Sequence, residues 1–148
     1  MQAKTDLLAG RVLACVLNGD MIAELGIASP TKLTPLWLSL HSDEPSSKGT
    51  QIDKELDYTG YERVAVKRDL LDLQWKIEGR TALNNSLLRF PKCTAGEGIA
   101  KWVGIGTEKR GGGVLLFRGK IKIPAGGMRI TQNIRPEFEP RDITIIEN

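Results

Sequence analysis

Apolar and polar residues alternate along Leu36-Trp37-Leu38-Ser39-Leu40-His41, with the leucines on one face and Trp37, Ser39 and His41 on the other. The same period of two returns in Arg63-Val64-Ala65-Val66-Lys67. Such alternation marks a strand buried on one side only. Leu73, Trp75 and Ile77 share a face in the next run, Leu88-Arg89-Phe90 alternates up to Pro91, and Ile99 to Ile105 reads as one strand. Val114 to Ile123 reads as a long strand, with Leu116, Arg118, Lys120 and Lys122 on one side and Leu115, Phe117, Gly119, Ile121 and Ile123 on the other. Shorter runs follow at Met128 to Ile134, Glu137-Phe138 and Ile143 to Ile146. Gly- and Pro-containing turns separate about eight such segments, the spacing of a sandwich or barrel. The predicted fold is all-β, a β-sandwich of jelly-roll-like order.

Only the start of the chain departs from this period. Thr5 to Leu17 reads as a helix, with Thr5 as N-cap, Asp6 at the positive end of the dipole, and Leu8, Val12, Cys15 and Val16 at helical spacing. Asn18-Gly19 ends it, glycine accepting the left-handed cap at little cost. Ser29 to Pro35, with two prolines, reads as a linker into the sheet. The expected division is therefore a helix-and-linker arm over 1–35 and a β-sandwich domain over 36–148. The apolar stripe of the helix needs cover, either an open end of the sandwich or a neighbouring subunit.

At 148 residues the chain can bury a core without disulfides or metals. Its net charge of +3 is spread among acidic residues, with no long basic run that would point to nucleic acid. Cys15 and Cys93, far apart, read as buried free thiols in a reducing compartment. No signal peptide or membrane-spanning stretch is expected, since the first apolar segment is interrupted by Asp6, Gly10 and Arg11.

Candidate chemistry is sparse. The single histidine, His41, ends a strand and reads as an exposed residue beside a turn; pairing it with Cys93 would leave no third group to orient the base. The glycine-rich stretch Gly104 to Gly113 has Lys109 where a dinucleotide fingerprint needs glycine, and Gly112-Gly113 where a P-loop needs Lys-Ser or Lys-Thr. A hairpin explains it better. Asp53, Glu55 and Asp57 alternate but lack the glycine and the final glutamate of a calcium loop, and read as a solvated face. No catalytic, cofactor-binding or metal-binding residue is expected, and the protein is predicted not to be an enzyme. Arg110, Arg118, Lys120, Lys122, Arg129, Arg135 and Arg141 crowd the C-terminal third. If several share a face, that face suits an acidic protein partner; without interleaved aromatic platforms nucleic acid is disfavoured.

Several blocks in order resemble a group of small tailed-bacteriophage virion proteins. They are Leu36 to Pro45, Gly49-Thr50, Tyr58-Thr59-Gly60-Tyr61-Glu62-Arg63-Val64-Ala65-Val66, Trp75, Asn84-Asn85, Phe90-Pro91, Gly104 to Thr107, Leu115 to Gly119 and Pro136 to Ile145. The resemblance runs from about Leu36 to the C-terminus, with Glu44 inserted before the proline of the family's His-x-Asp-Pro corner. The group is generally described as tail fibre-like or as capsid decoration (cement) proteins, and it implies no catalytic residue. The resemblance implies a virion structural protein made in the host bacterial cytoplasm. The first expectation is a decoration protein that binds the major capsid protein as a homo-oligomer, dimer or trimer, and staples the head lattice. A tail fibre or baseplate component is the second, placed behind because the chain leaves little room for a shaft. A carbohydrate-binding module is the third, disfavoured by an aromatic content of 5%. No cofactor and no membrane partner are expected. Expected contact residues are Trp37, Tyr61, Arg63, Arg118, Lys120 and Lys122.

Overall fold

The computed structural model describes residues 3–29, 33–122 and 124–148. It is mostly β, with antiparallel pairings throughout the described strands and one short α-helix at the N-terminus. The elements are α1 (Asp6–Leu13), β1 (Leu36–His41), β2 (Val64–Val66), β3 (Trp75–Glu78), β4 (Thr81–Asn84), β5 (Leu88–Arg89), β6 (Gly98–Ala100), β7 (Trp102–Gly106), β8 (Leu115–Lys120), β9 (Met128–Ile130), β10 (Glu137–Phe138) and β11 (Thr144–Ile146). They form two compact units. One contains Met1–Pro35, Lys67–Leu87 and Glu139–Asn148; the other contains Leu36–Val66 and Leu88–Phe138. These units cross the division expected at residue 35, because the helical segment packs on β3 and β4. Of the linker read over Ser29 to Pro35, residues 30–32 lie outside the described residues, as does Ile123.

In the first unit the start and stop signals of the helix act as their chemistry dictates. The Thr5 hydroxyl accepts from the Leu8 N–H at 3.3 Å, and α1 widens into a π-helical turn over Ala14–Asn18 before Gly19 closes it at φ 74°. Ala9, Leu13 and Leu17 are fully buried, in the same unit as the sheet β11-β4-β3. The helix therefore covers its own chain. Gly10 permits the approach: a β-carbon there would lie 2.5 Å from the Gly79 carbonyl oxygen. Gly10→Val should accordingly lower stability by about 1–3 kcal/mol, the usual cost of overpacking, measured by urea unfolding; an unchanged midpoint would contradict the close approach. Buried Asn84 is fully used: its Oδ1 accepts from Ile143 N–H at 2.8 Å, and its Nδ2 donates to the carbonyls of Ser86 and Glu139 at 3.0 and 2.8 Å.

The second unit is sandwich-like. Its main sheet has the order β2-β1-β7-β8, and the ladders β10-β5 and β6-β9 complete it. The strand order does not spell out a jelly roll among the described residues. Leu36, Leu38, Leu40, Val66, Val103 and Ile105 are buried, as their alternation predicts. Tyr58, Tyr61, Phe90 and Phe138 run in contact beside them, with ring centroids 5.4, 6.1 and 6.3 Å apart. The run Ile99 to Ile105 is not one strand. It breaks at Lys101, whose N–H donates to His41 and whose carbonyl accepts from Ile121 N–H. Before that residue the chain pairs with β9, and after it with β1 and β8.

β1 departs from its pattern in one instructive way. Its polar face is buried too: Ser39 and His41 are both 0% exposed. The loop over residues 42–62, whose Asp53, Glu55 and Asp57 read as a solvated face, folds back over that face of β1, so the strand is covered on both sides.

Candidate functional site

The covered face of β1 carries most of the polar chemistry of this unit. Glu55 and Arg63 form a bidentate pair, with Arg63 Nε to Glu55 Oε2 at 2.7 Å and Arg63 Nη2 to Oε1 at 2.8 Å. Arg63 Nη1 also donates to the Glu108 carbonyl at 3.0 Å and Nη2 to the Gly111 carbonyl at 2.7 Å. One guanidinium thus holds the loop carboxylate and the 107–114 hairpin together. The planar donor fork of arginine suits this, and lysine could not reproduce it. The carboxylate hydrogen bonds hold the Arg63 guanidinium firmly charged, raising its pKa against the opposing effect of burial.

Tyr61 completes the cluster. Its hydroxyl donates to Glu55 Oε2 at 2.7 Å and accepts from Leu40 N–H at 3.1 Å. β2 pairs with β1 only over Leu36 to Leu38, so the phenol stands in where the neighbouring strand has ended. Burial, then the adjacent Glu55 carboxylate, push the Tyr61 pKa far up and keep it neutral. Tyr58 is raised to about 12, chiefly by burial, and donates to the Pro91 carbonyl at 2.7 Å.

Gln51 is the second staple. Its Nε2 donates to the Glu108 carbonyl at 3.1 Å and its Oε1 accepts from Glu108 N–H at 2.9 Å, imitating a strand pair with a side chain. Its own N–H donates to the Gly112 carbonyl at 2.8 Å. The glycines that tempted a phosphate reading explain this geometry. A β-carbon at Gly106 or Gly113 would overlap the Gln51 side chain, and one at Gly104 would lie 2.7 Å from His41 Nε2 and 2.8 Å from Ser39 Oγ. The segment is a socket for side chains.

His41 is fully buried, which corrects its reading as an exposed turn residue. Nδ1 lies 2.7 Å from the Asp53 carbonyl and must be the donor, since a carbonyl only accepts. Nε2 then accepts from the Ser39 hydroxyl at 2.8 Å. This pair resembles a serine–histidine dyad, but both members are fully buried and the orienting group is a backbone carbonyl. Both ring nitrogens are occupied, so Cys93 does not pair with His41; its thiol points to the carbonyls of Ala95 and Gly96. Cys93 is buried, while Cys15 is only half-buried.

Burial lowers the pKa of His41 below 6.5, outweighing the Asp53 carbonyl and the Glu55 carboxylate. The unfolded chain therefore takes up this proton first as pH falls. The stability owed to neutral His41 is complete above about pH 6.5 and declines as pH drops below it toward the folded-state value. His41→Asn should flatten the stability profile between about pH 7 and pH 5, read by thermal unfolding. An equally steep profile in the variant would assign the dependence to another group.

The six expected contact residues separate. Tyr61 and Arg63 turn inward and bind the loop, which corrects their assignment to a surface: Arg63 is 7% exposed. Trp37 is half-buried, with Lys109 Nζ 5.8 Å from its ring centroid. Arg118 and Lys120 share the exposed face of β8 with Leu116, as the alternation predicts, but Arg118 is engaged by Glu44 at 2.9 Å. Lys122 is exposed just beyond the strand. Arg141 belongs to the other unit. Of the alternating acids, Glu55 is bound by Arg63, Asp53 Oδ2 accepts from Ser46 N–H at 2.7 Å, and Asp57 is exposed. No metal-binding cluster occurs among the described residues. The inward roles of Gln51 and Glu55 were missed, as was the part of the Glu108 backbone that Gln51 and Arg63 hold; the signal was the glycine at 104, 106 and 113, which left room for something.

A scaffold of short antiparallel ladders, fastened by polar groups spent on one another, fits a component of an assembly, and the chain is a bacteriophage virion structural protein. Residues 4–142 match the family model described as Podophage GP4 fiber I protein gp80, and the chain belongs to that family. The match takes in the N-terminal helix, which the resemblance had left out. No curated protein matches the chain.

Proposed function

We propose that the protein is a non-catalytic fibre subunit of a podophage virion. The observation that carries this is the family match over residues 4–142, whose description names a fibre protein. It moves the reading from the head lattice, the first expectation, to the fibre, the second. Length ceases to be an objection if several copies or several kinds of subunit share the shaft. The buried network supports a structural role: Glu55, Tyr61, Arg63, Gln51 and His41 are saturated by partners within the chain and offer nothing to a substrate. The groups left for partners are on the outside, with Leu116, Lys120 and Lys122 exposed on and beyond β8.

The test is location and copy number. Gold-labelled antibody against the protein should decorate the tail region of intact virions, and quantitative mass spectrometry should give far fewer copies than the major capsid protein. Label spread over the head, with copies comparable to capsid subunits, would overturn the fibre reading in favour of decoration.

A further inference from the structure

An open groove of about 570 Å³ runs along the outer edge of β3 in the helix-bearing unit. One wall is a helical flank that includes Leu7, Ala14 and Asn18; the other includes Leu73, Trp75 and Ile77. Among the described residues β3 is an edge strand, bonded only to β4. Asn85 N–H donates to Gln74, while Asn84, opposite Trp75, sends its N–H away to Ile143. Gln74 therefore faces β4, and Trp75 and Ile77 turn their N–H and C=O groups to the groove. The Trp75 carbonyl is already taken there by Asn18 Nδ2 at 3.1 Å.

Two residues of the lining, Asn18 and Trp75, are 3% and 1% exposed, and among the described residues Asn18 Oδ1 and Trp75 Nε1 have no hydrogen-bond partner. One is an acceptor and the other a donor, and each is costly to leave alone. A peptide amide, which donates and accepts at once, matches both in kind. The groove is too small for a subunit face, which needs about 800 Å² per partner, but its volume is in the range of about 300–1,000 Å³ that encloses a compact ligand. Its charges are largely cancelled within the chain: Asp6 is held by Arg80, Arg11 by Glu24 and Lys76 by Glu78. Asp20, also in the lining, has no ion-pair partner among the described residues and favours a cationic side chain at that end.

We propose that this groove binds an extended, mainly apolar segment of a partner protein, which adds as a strand to β3 and carries one basic residue toward Asp20. Strand addition between an open sheet edge and a helix flank uses main-chain hydrogen bonds for affinity and alternate side chains for specificity.

The test uses full-length, ¹⁵N-labelled protein. The probes are acetylated, amidated pentapeptides with Val, Leu or Ile at alternate positions, Thr between them and a terminal Lys, together with backbone N-methylated copies. Binding should shift the Trp75 indole and Ile77 amide resonances, with dissociation constants between about 10 μM and 1 mM. N-methylation on the edge facing β3 should weaken binding at least about tenfold. Ala14→Arg, which fills the groove, should abolish it; if that variant fails to fold, the N-methyl comparison decides alone. Absence of shifts up to about 1 mM peptide, or equal binding of the methylated copies, would overturn the proposal. So would self-association that Ala14→Arg removes without any peptide binding, since the occupant would then be a second copy.

Discussion

Arg63→Ala is expected to destabilise the protein by about 3–5 kcal/mol, the cost of leaving a buried charge without its partner. Glu55 would remain under the loop, its side chain 12% exposed, with only the Tyr61 hydroxyl to answer it. The carbonyls of Glu108 and Gly111 would lose their donor in the same step. The loss should be visible as a lower urea midpoint and as faster proteolysis in the loop over residues 42–62. Removing both charges provides the control. Glu55→Met with Arg63→Met should recover much of the loss, because exchanging a buried ion pair for apolar groups is often close to neutral. If the single variant loses less than about 1 kcal/mol, the pair is behaving like an exposed ion pair, and the loop is fastened by something else.

That expectation was not available from the sequence, and the reason is physical. Leu36, Leu38 and Leu40 announce one buried face because apolar alternation has one dominant cause. Ser39 and His41 look solvated because polar residues usually are, and nothing local reveals that a loop returns to cover them. Burying that face required partners distant in the chain: Asp53 for His41, and Glu108 and Gly111 for Arg63. The same limit applied at Lys101, where a continuous alternating run conceals a change of ladder, since period records which face a side chain takes and not which strand it meets. The helix was legible to its caps, because Thr5 and Gly19 act through their nearest neighbours. Its place on the sheet of β3, β4 and β11 was not, and the division expected at residue 35 followed chain order where the fold does not. The exposed side of β8 was read correctly, yet the partner of Arg118 is Glu44, a long way back along the chain.

Gly106→Ala is the second change expected to have a large effect, and it should be rescued by a deletion. A β-carbon at position 106 would overlap the Gln51 side chain, which cannot retreat without giving up both bonds to Glu108. The single substitution should cost about 2–4 kcal/mol, combining overpacking with the loss of buried hydrogen bonds. Gln51→Ala alone should cost about 1–3 kcal/mol, since it strips the Glu108 N–H of its partner but creates no clash. In the double variant the new methyl group enters the space that Gln51 has left. Its stability should therefore lie well above the sum of the two losses, with a coupling of at least about 1 kcal/mol in the double-mutant cycle. Strict additivity would mean that glycine at 106 serves only its own backbone, and the side-chain socket would be refuted. A positive coupling would identify Gln51 as the occupant for which Gly106 leaves room, and would tie this glycine to holding the loop shut instead of binding a phosphate.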